Sequence, residues 1–258
     1  MRLAILVISA AFASAVDAQV PGTRMTVDVS VTSVTLRGDT TGVTYVLYNR
    51  PDSQDSLMMF AVDAPGHVTS ITRPDSLWSA DTLLYDVQPV AVWGILGLLA
   101  PAATAPSIAF ESLGLPGIAT TWAQGKWPMP GCCDDDPPPP TEDDVLATHS
   151  VTGKTVGIDP WPSDRSVQGL LARLRGLTQS SCGSTLLWIT DSSVCTQLLA
   201  DIDAAESYRA AGAFSQASET LDQFVSLLGS SSTSFSPGVT SSAYWLLRPN
   251  VDVIKSLL

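Results

Sequence analysis

The chain has 258 residues, 45% hydrophobic and 15% charged, and its 25 acidic side chains outnumber 13 basic ones for a net charge of -12. So low a charged fraction excludes a chain kept disordered by self-repulsion. The acidic balance argues against nucleic acid and anionic lipid as partners, since both are held by clustered cations.

The first element in chain order is an address. Arg2 gives a positive start, residues 3–12 form an apolar run, and small residues surround Ala15 and Ala18. This is the layout of a secretory signal peptide, expected over 1–18 with cleavage after Ala18. The run is short for a membrane span. The expected localisation is therefore secreted, extracellular or periplasmic, where cysteines meet oxidising conditions.

Residues 19–160 read as β structure. Val27, Val29 and Val31 alternate with Asp28, Ser30 and Thr32, and Val43, Tyr45 and Leu47 alternate with Thr44, Val46 and Tyr48. That is the period of two of a half-buried strand. Leu57 to Val62 is a continuous apolar run, which suits a central strand covered on both faces. Further strands are predicted over 82–87, 90–95, 107–111, 118–122 and 149–158, with turns at 37–39, 51–52, 64–66, 73–75 and 115–117. Short strands at this spacing, without long helices between them, predict a sandwich.

Two stretches qualify that reading. Between Asp86 and Glu111 there is no charge, and the length would suffice for a bilayer, but Pro89, Pro101 and Pro106 with Gly94 and Gly97 favour strands and a loop. No integral membrane span is expected. Residues 128–144 carry four consecutive prolines at 137–140 and two acidic clusters, which predicts a solvated loop within the β domain. Residues 159–163 read as the linker.

From 163 to 258 the period turns helical. Val167, Leu170, Leu171, Leu174 and Leu177 make one stripe, and Val194, Leu198, Ile202 and Ala205 a second that ends near Gly212. Phe214, Ala217, Leu221, Phe224, Val225 and Leu228 make a third; Tyr244, Leu247, Val251, Ile254 and Leu258 a fourth, with a break or kink expected at Pro249. The expected fold class is α+β with two domains: an all-β sandwich, immunoglobulin- or fibronectin-like, followed by a small antiparallel helical bundle.

Residues 167–258 resemble the FIMAH-type helical domain of secreted bacterial proteins. The resemblance is carried by Leu170 to Leu177, Ser181-Cys182-Gly183, Trp188-Ile189 before Cys195, and Ala243-Tyr244-Trp245-Leu246-Leu247. The β part, with Pro106-Ser107-Ile108 and the run from Ser112 to Ile118, is similar to uncharacterised immunoglobulin-like modules found upstream of such domains. The resemblance implies a helical interaction module and no catalytic residue.

The residues themselves offer little chemistry. Cys182 and Cys195 bracket the loop between the first two helices and read as a disulfide, with pairing to Cys132 or Cys133 as the alternative. Cys132 and Cys133 are adjacent, so they form a vicinal bond or seek other partners. The two histidines, His67 and His149, read as surface turn residues. No nucleophile elbow, zinc-protease motif, phosphate loop or calcium loop is present, so no cofactor or metal is expected. A hydrolase with a carboxylate pair would have only Glu111 and Glu142 as glutamates in the β part. Trp78, Trp122 and Trp127 fall in or near predicted loops and are candidates for stacking on a sugar ring, against the packing role usual for an indole. Trp188 and Trp245 read as packing residues. The expected function is an exported, non-enzymatic protein with a protein or glycan partner. Carbohydrate binding through loop tryptophans is the alternative.

Overall fold

The computed structural model describes residues 24–125, 150–231 and 233–258. The signal peptide, the 128–144 loop, Trp127, Cys132, Cys133, Glu142 and His149 lie outside the described residues. Nine strands form two antiparallel sheets. β1 (Val27–Arg37), β2 (Thr40–Asn49), β7 (Ile108–Leu113) and β4 (Val68–Thr72) lie side by side in that order. β5 (Trp78–Tyr85), β6 (Gln88–Leu99), β3 (Leu57–Asp63), β8 (Leu115–Gly125) and β9 (Ser150–Asp159) make the second sheet.

Aromatic contacts show that the sheets face one another. Tyr45 and Phe110 from one sheet meet Phe60 and Trp93 from the other, with centroid separations of 6.1 to 6.4 Å around the ring of four. Each sheet also hydrogen-bonds the other: the Tyr45 hydroxyl donates to the Val156 carbonyl at 2.6 Å, and Trp93 Nε1 to the Thr72 carbonyl at 2.9 Å. The β-sandwich follows from alternation. Val43, Tyr45 and Leu47 are buried while their neighbours in β2 are only partly covered.

The uncharged stretch from 86 to 111 resolves into β6 and the start of β7, with Val90, Trp93 and Ile108 buried. Among the described residues no helix is long and apolar enough to cross a membrane. One strand is unforeseen and two local expectations are corrected. β4 carries no clear periodic signal, because all of it is exposed or only partly covered. The strand expected at 82–87 starts earlier, at Trp78, and its reversal is made by Asp86 and Val87 in the left-handed region (φ 46 and 63). Leu115-Pro116-Gly117 is not a turn: Pro116 sits in β8 opposite Ile158. The reversal is at Gly114 (φ 147), where a Cβ would collide with the Asp159 carbonyl. β3 reaches β8 only as far as Thr121, so the missing amide of Pro116 costs no ladder bond to β3.

Four helices follow: α1 (Val167–Cys182), α2 (Ser192–Ala210), α3 (Phe214–Leu228) and α4 (Ser241–Lys255), with a small hairpin of β10 (Gly229–Ser231) and β11 (Ser234–Phe235) before the last. Ser166, Asp191 and Thr240 cap α1, α2 and α4 with side-chain oxygens that accept amides of the first turn. Gly212 (φ 74) ends α2 as the left-handed glycine expected there. Pro249 does not break α4, which is helical on both sides of it. Asn250 Nδ2 donates to the Leu246 carbonyl at 2.7 Å and to the Pro116 carbonyl at 3.1 Å, so the turn around the proline is fastened to β8.

The helices pack on one another and on the sandwich. α4 lies against β1, β8 and β9, and buried side chains run without interruption from Val31 and Tyr45 to Ala243 and Leu247. Arg173 of α1 donates to the Pro116 carbonyl at 2.8 Å and pairs with Asp159 at 3.1 Å. The stretch read as a linker is tied down as well. Trp161 Nε1 donates to the Asp39 carbonyl at 3.0 Å, and Arg165 lies 3.7 Å from the Asp39 carboxylate.

Candidate binding site

Cys182, the last residue of α1, and Cys195, in the first turn of α2, form a disulfide with Cα atoms 6.0 Å apart. The loop between them is fixed further by backbone bonds: Ile189 N to Ser181 O at 3.0 Å, Thr190 N to Gly238 O at 2.8 Å, and Thr240 N to Trp188 O at 2.9 Å. Trp188 and Ile189 are buried by this closure. The disulfide therefore shapes a rigid loop against the start of α4.

Two of the tryptophans proposed for stacking, Trp78 and Trp122, are buried. Trp78 is 4% exposed and belongs to the main core. Trp122 is 8% exposed, in a separate cluster with Ala61, Val90 and Val92, and its ring meets Tyr85 edge-on at 5.5 Å. Neither ring offers a face to a sugar. Burial of a large indole accounts for both, and a loop position in sequence does not reveal it. His67 is exposed at the end of the β3–β4 turn, and Glu111 lies 3.8 Å from Arg37.

Among the described residues, two concavities lie where the helical part meets the sandwich and a third where the segment leading into α1 does. The first, of about 670 Å3, is lined by Val34 and Leu36 of β1, Ser230 and Ser231 of β10, and Tyr244, Trp245, Arg248, Pro249 and Asp252 of α4. The second, of about 480 Å3, sets Thr120, Thr152, Gly153 and Lys154 of the β8–β9 pair against Thr185, Leu186 and Trp188 of the disulfide-closed loop. The third, of about 400 Å3, brings Asp39, His67 and Leu113 to Trp161 and Arg165. Ligand clefts favour such junctions, with volumes of roughly 300–1,000 Å3.

Their electrostatics differ. In the second, Lys154 Nζ donates to Thr120 Oγ1 at 2.8 Å, so the ammonium is held over the sheet. Burial pushes the nearby Asp63 carboxyl up, Lys154 pulls it down and Asp159 pushes it up again. In the third, the Arg165 guanidinium lies 4.7 Å over the Trp161 ring and beside Asp39, so cation and carboxylate are already partnered. In the first, Arg248 lies 5.4 Å over the Tyr244 ring and 4.0 Å from Asp252. Trp161 and Trp245 were assigned by sequence to the linker and to packing. The signal for Trp245 was its spacing, since Trp245, Arg248 and Asp252 at i, i+3 and i+7 share one helix face.

No family model matches the chain, and no curated protein matches it. Several solved structures are similar over part of it. An uncharacterized protein from Nocardia farcinica described as having an immunoglobulin-like fold is 14% identical, over 50% of this chain and 96% of its own, with a TM-score of 0.28. A cohesin module from the Clostridium perfringens ATCC13124 family 33 glycoside hydrolase is 6% identical, over 54% and 99%, at 0.31. A GH20 exo beta-N-acetylglucosaminidase from Vibrio harveyi is 12% identical, over 56% of this chain and 20% of the enzyme, at 0.26. Likenesses at these scores carry no argument; the sandwich rests on its own strand pairing.

Proposed function

We propose that the protein is an exported, non-enzymatic binding protein: an immunoglobulin-like sandwich to which a FIMAH-type helical module is fastened, with its ligand surface along the seam between them. One observation carries this reading. Two of the concavities take side chains from both parts and the third from the sandwich and the segment that leads into α1, and each combines an apolar or aromatic wall with a few polar groups. The Cys182–Cys195 bond supports export, because disulfides persist in oxidising compartments. The intact mass of the exported chain should correspond to a start at Gln19; a mature chain beginning at Met1 would defeat the localisation.

The binding claim is tested on glycan and protein arrays with the wild type and a seam variant carrying Lys154→Glu, Arg165→Glu and Arg248→Glu. Ligands retained by the wild type should be lost from the variant. A ligand that both bind equally well would move the site off the seam.

A further inference from the structure

The largest of the three seam concavities has a lining that selects one ligand chemistry. Its apolar wall is made by Val34 and Leu36 of β1 and by Trp245, a partly exposed indole set at 88° to the Tyr244 ring with centroids 5.3 Å apart. Tyr244 is fully buried and meets Phe235 at 5.3 Å, so Trp245 stands on a fixed aromatic base. One helical turn on, Arg248 is held by the Tyr244 hydroxyl, to which it donates, and by Asp252 at 4.0 Å. Ser230 and Ser231 of β10 complete the lining.

This set recognises a molecule with an apolar face and several hydroxyl groups. The axial C–H bonds of a pyranose ring present such a face, and an indole is its usual complement in size and polarity. A guanidinium and a carboxylate side by side donate to one hydroxyl and accept from its neighbour, and charged partners make these the stronger class of hydrogen bond. The two charges cancel, so the site offers no net attraction to an anion, and the protein's net charge of -12 repels one. We infer that the cleft between β1 and α4 binds a neutral saccharide, with Trp245 as the stacking platform and Arg248 and Asp252 as the polar clamp. The inference rests on the seam reading and names the ligand class of one of its clefts.

The test is calorimetric titration of the full exported chain with cellohexaose, maltohexaose and N-acetylchitohexaose, with a hexagalacturonate as the anionic arm. At least one neutral oligosaccharide should bind, and Arg248→Gln and Asp252→Asn should each weaken it about tenfold or more without lowering Tm. Trp245→Phe should weaken it further, and Arg50→Gln, at a surface ion pair with Asp28 that lines none of the concavities, should leave it unchanged. Binding that survives Arg248→Gln and Asp252→Asn overturns the assignment, as does binding of the uronate alone or of no oligosaccharide. Those outcomes leave the seam reading standing if the arrays return another ligand lost from the triple variant; they fall together only if the arrays return none.

Discussion

A single carboxyl in the helices sits where water scarcely reaches. Asp201 of α2 is 4% exposed; Gln197 donates to its Oδ1 at 2.8 Å, and Oδ2 has no partner. Burial pushes its pKa up, and the Gln197 hydrogen bond pulls part of that back. An acid whose pKa is raised by folding is protonated more readily in the folded state, so it detracts from stability as pH climbs through the unfolded value towards the folded one. Asp201→Asn should therefore stabilise the protein at pH 7, by about 1 kcal/mol for relief of one buried, half-satisfied charge. The gain should vanish near pH 3, where aspartic acid is neutral in both states. Thermal unfolding of the two proteins across that range checks it, and a variant less stable than the wild type at pH 7 would refute it.

Among the elements, the α1–α2 connection carries the clearest consequence of sequence. Closing a loop of this length removes unfolded-state entropy worth roughly 3 kcal/mol in the chain-entropy model. Replacing Cys182 and Cys195 together with Ser should cost about 2–4 kcal/mol, and denaturant titration with and without reductant should give the same difference. A loss under 1 kcal/mol would mean that the backbone bonds of Ile189, Thr190 and Thr240 hold the loop alone. The pair was legible in sequence because its spacing falls between two helical stripes. The helices were legible too, since each buries a stripe of apolar side chains, interrupted in α2 by Asp201. What sequence hid was context. Pro116 looked like a turn because proline is excluded from strand interiors, and only the end of β3 at Asp63 makes its position tolerable. Val87 looked like a strand residue because β-branched side chains prefer extended backbone, yet it takes the left-handed corner of the β5–β6 hairpin. Pro249 looked like a break, and a neighbouring asparagine that hydrogen-bonds both its own helix and a strand holds the turn. The candidate cleft was invisible for the same reason: Val34 and Trp245 lie far apart in the chain and meet only through packing.

At the scale of the whole molecule, the Pro116 carbonyl joins the parts, since it accepts from Arg173 of α1 and from Asn250 of α4. Both donors are at least partly buried, so losing one costs about 1–3 kcal/mol. Asn250→Ala should speed hydrogen exchange in α4 and in the Leu115–Thr120 half of β8 together. Faster exchange in α4 with β8 unchanged would show that the helices open independently of the sandwich. The same coupling bears on the order in which the protein is made. α4 rests against β1, so one of the first strands to be synthesised waits for the last helix before its flank is covered. Contacts this distant in sequence form late and slowly. A chain synthesised only as far as α3 holds its sandwich with one side of β1 bare. In that interval the flank of β1 is open to proteases and to premature association, and the docking of α4 closes it.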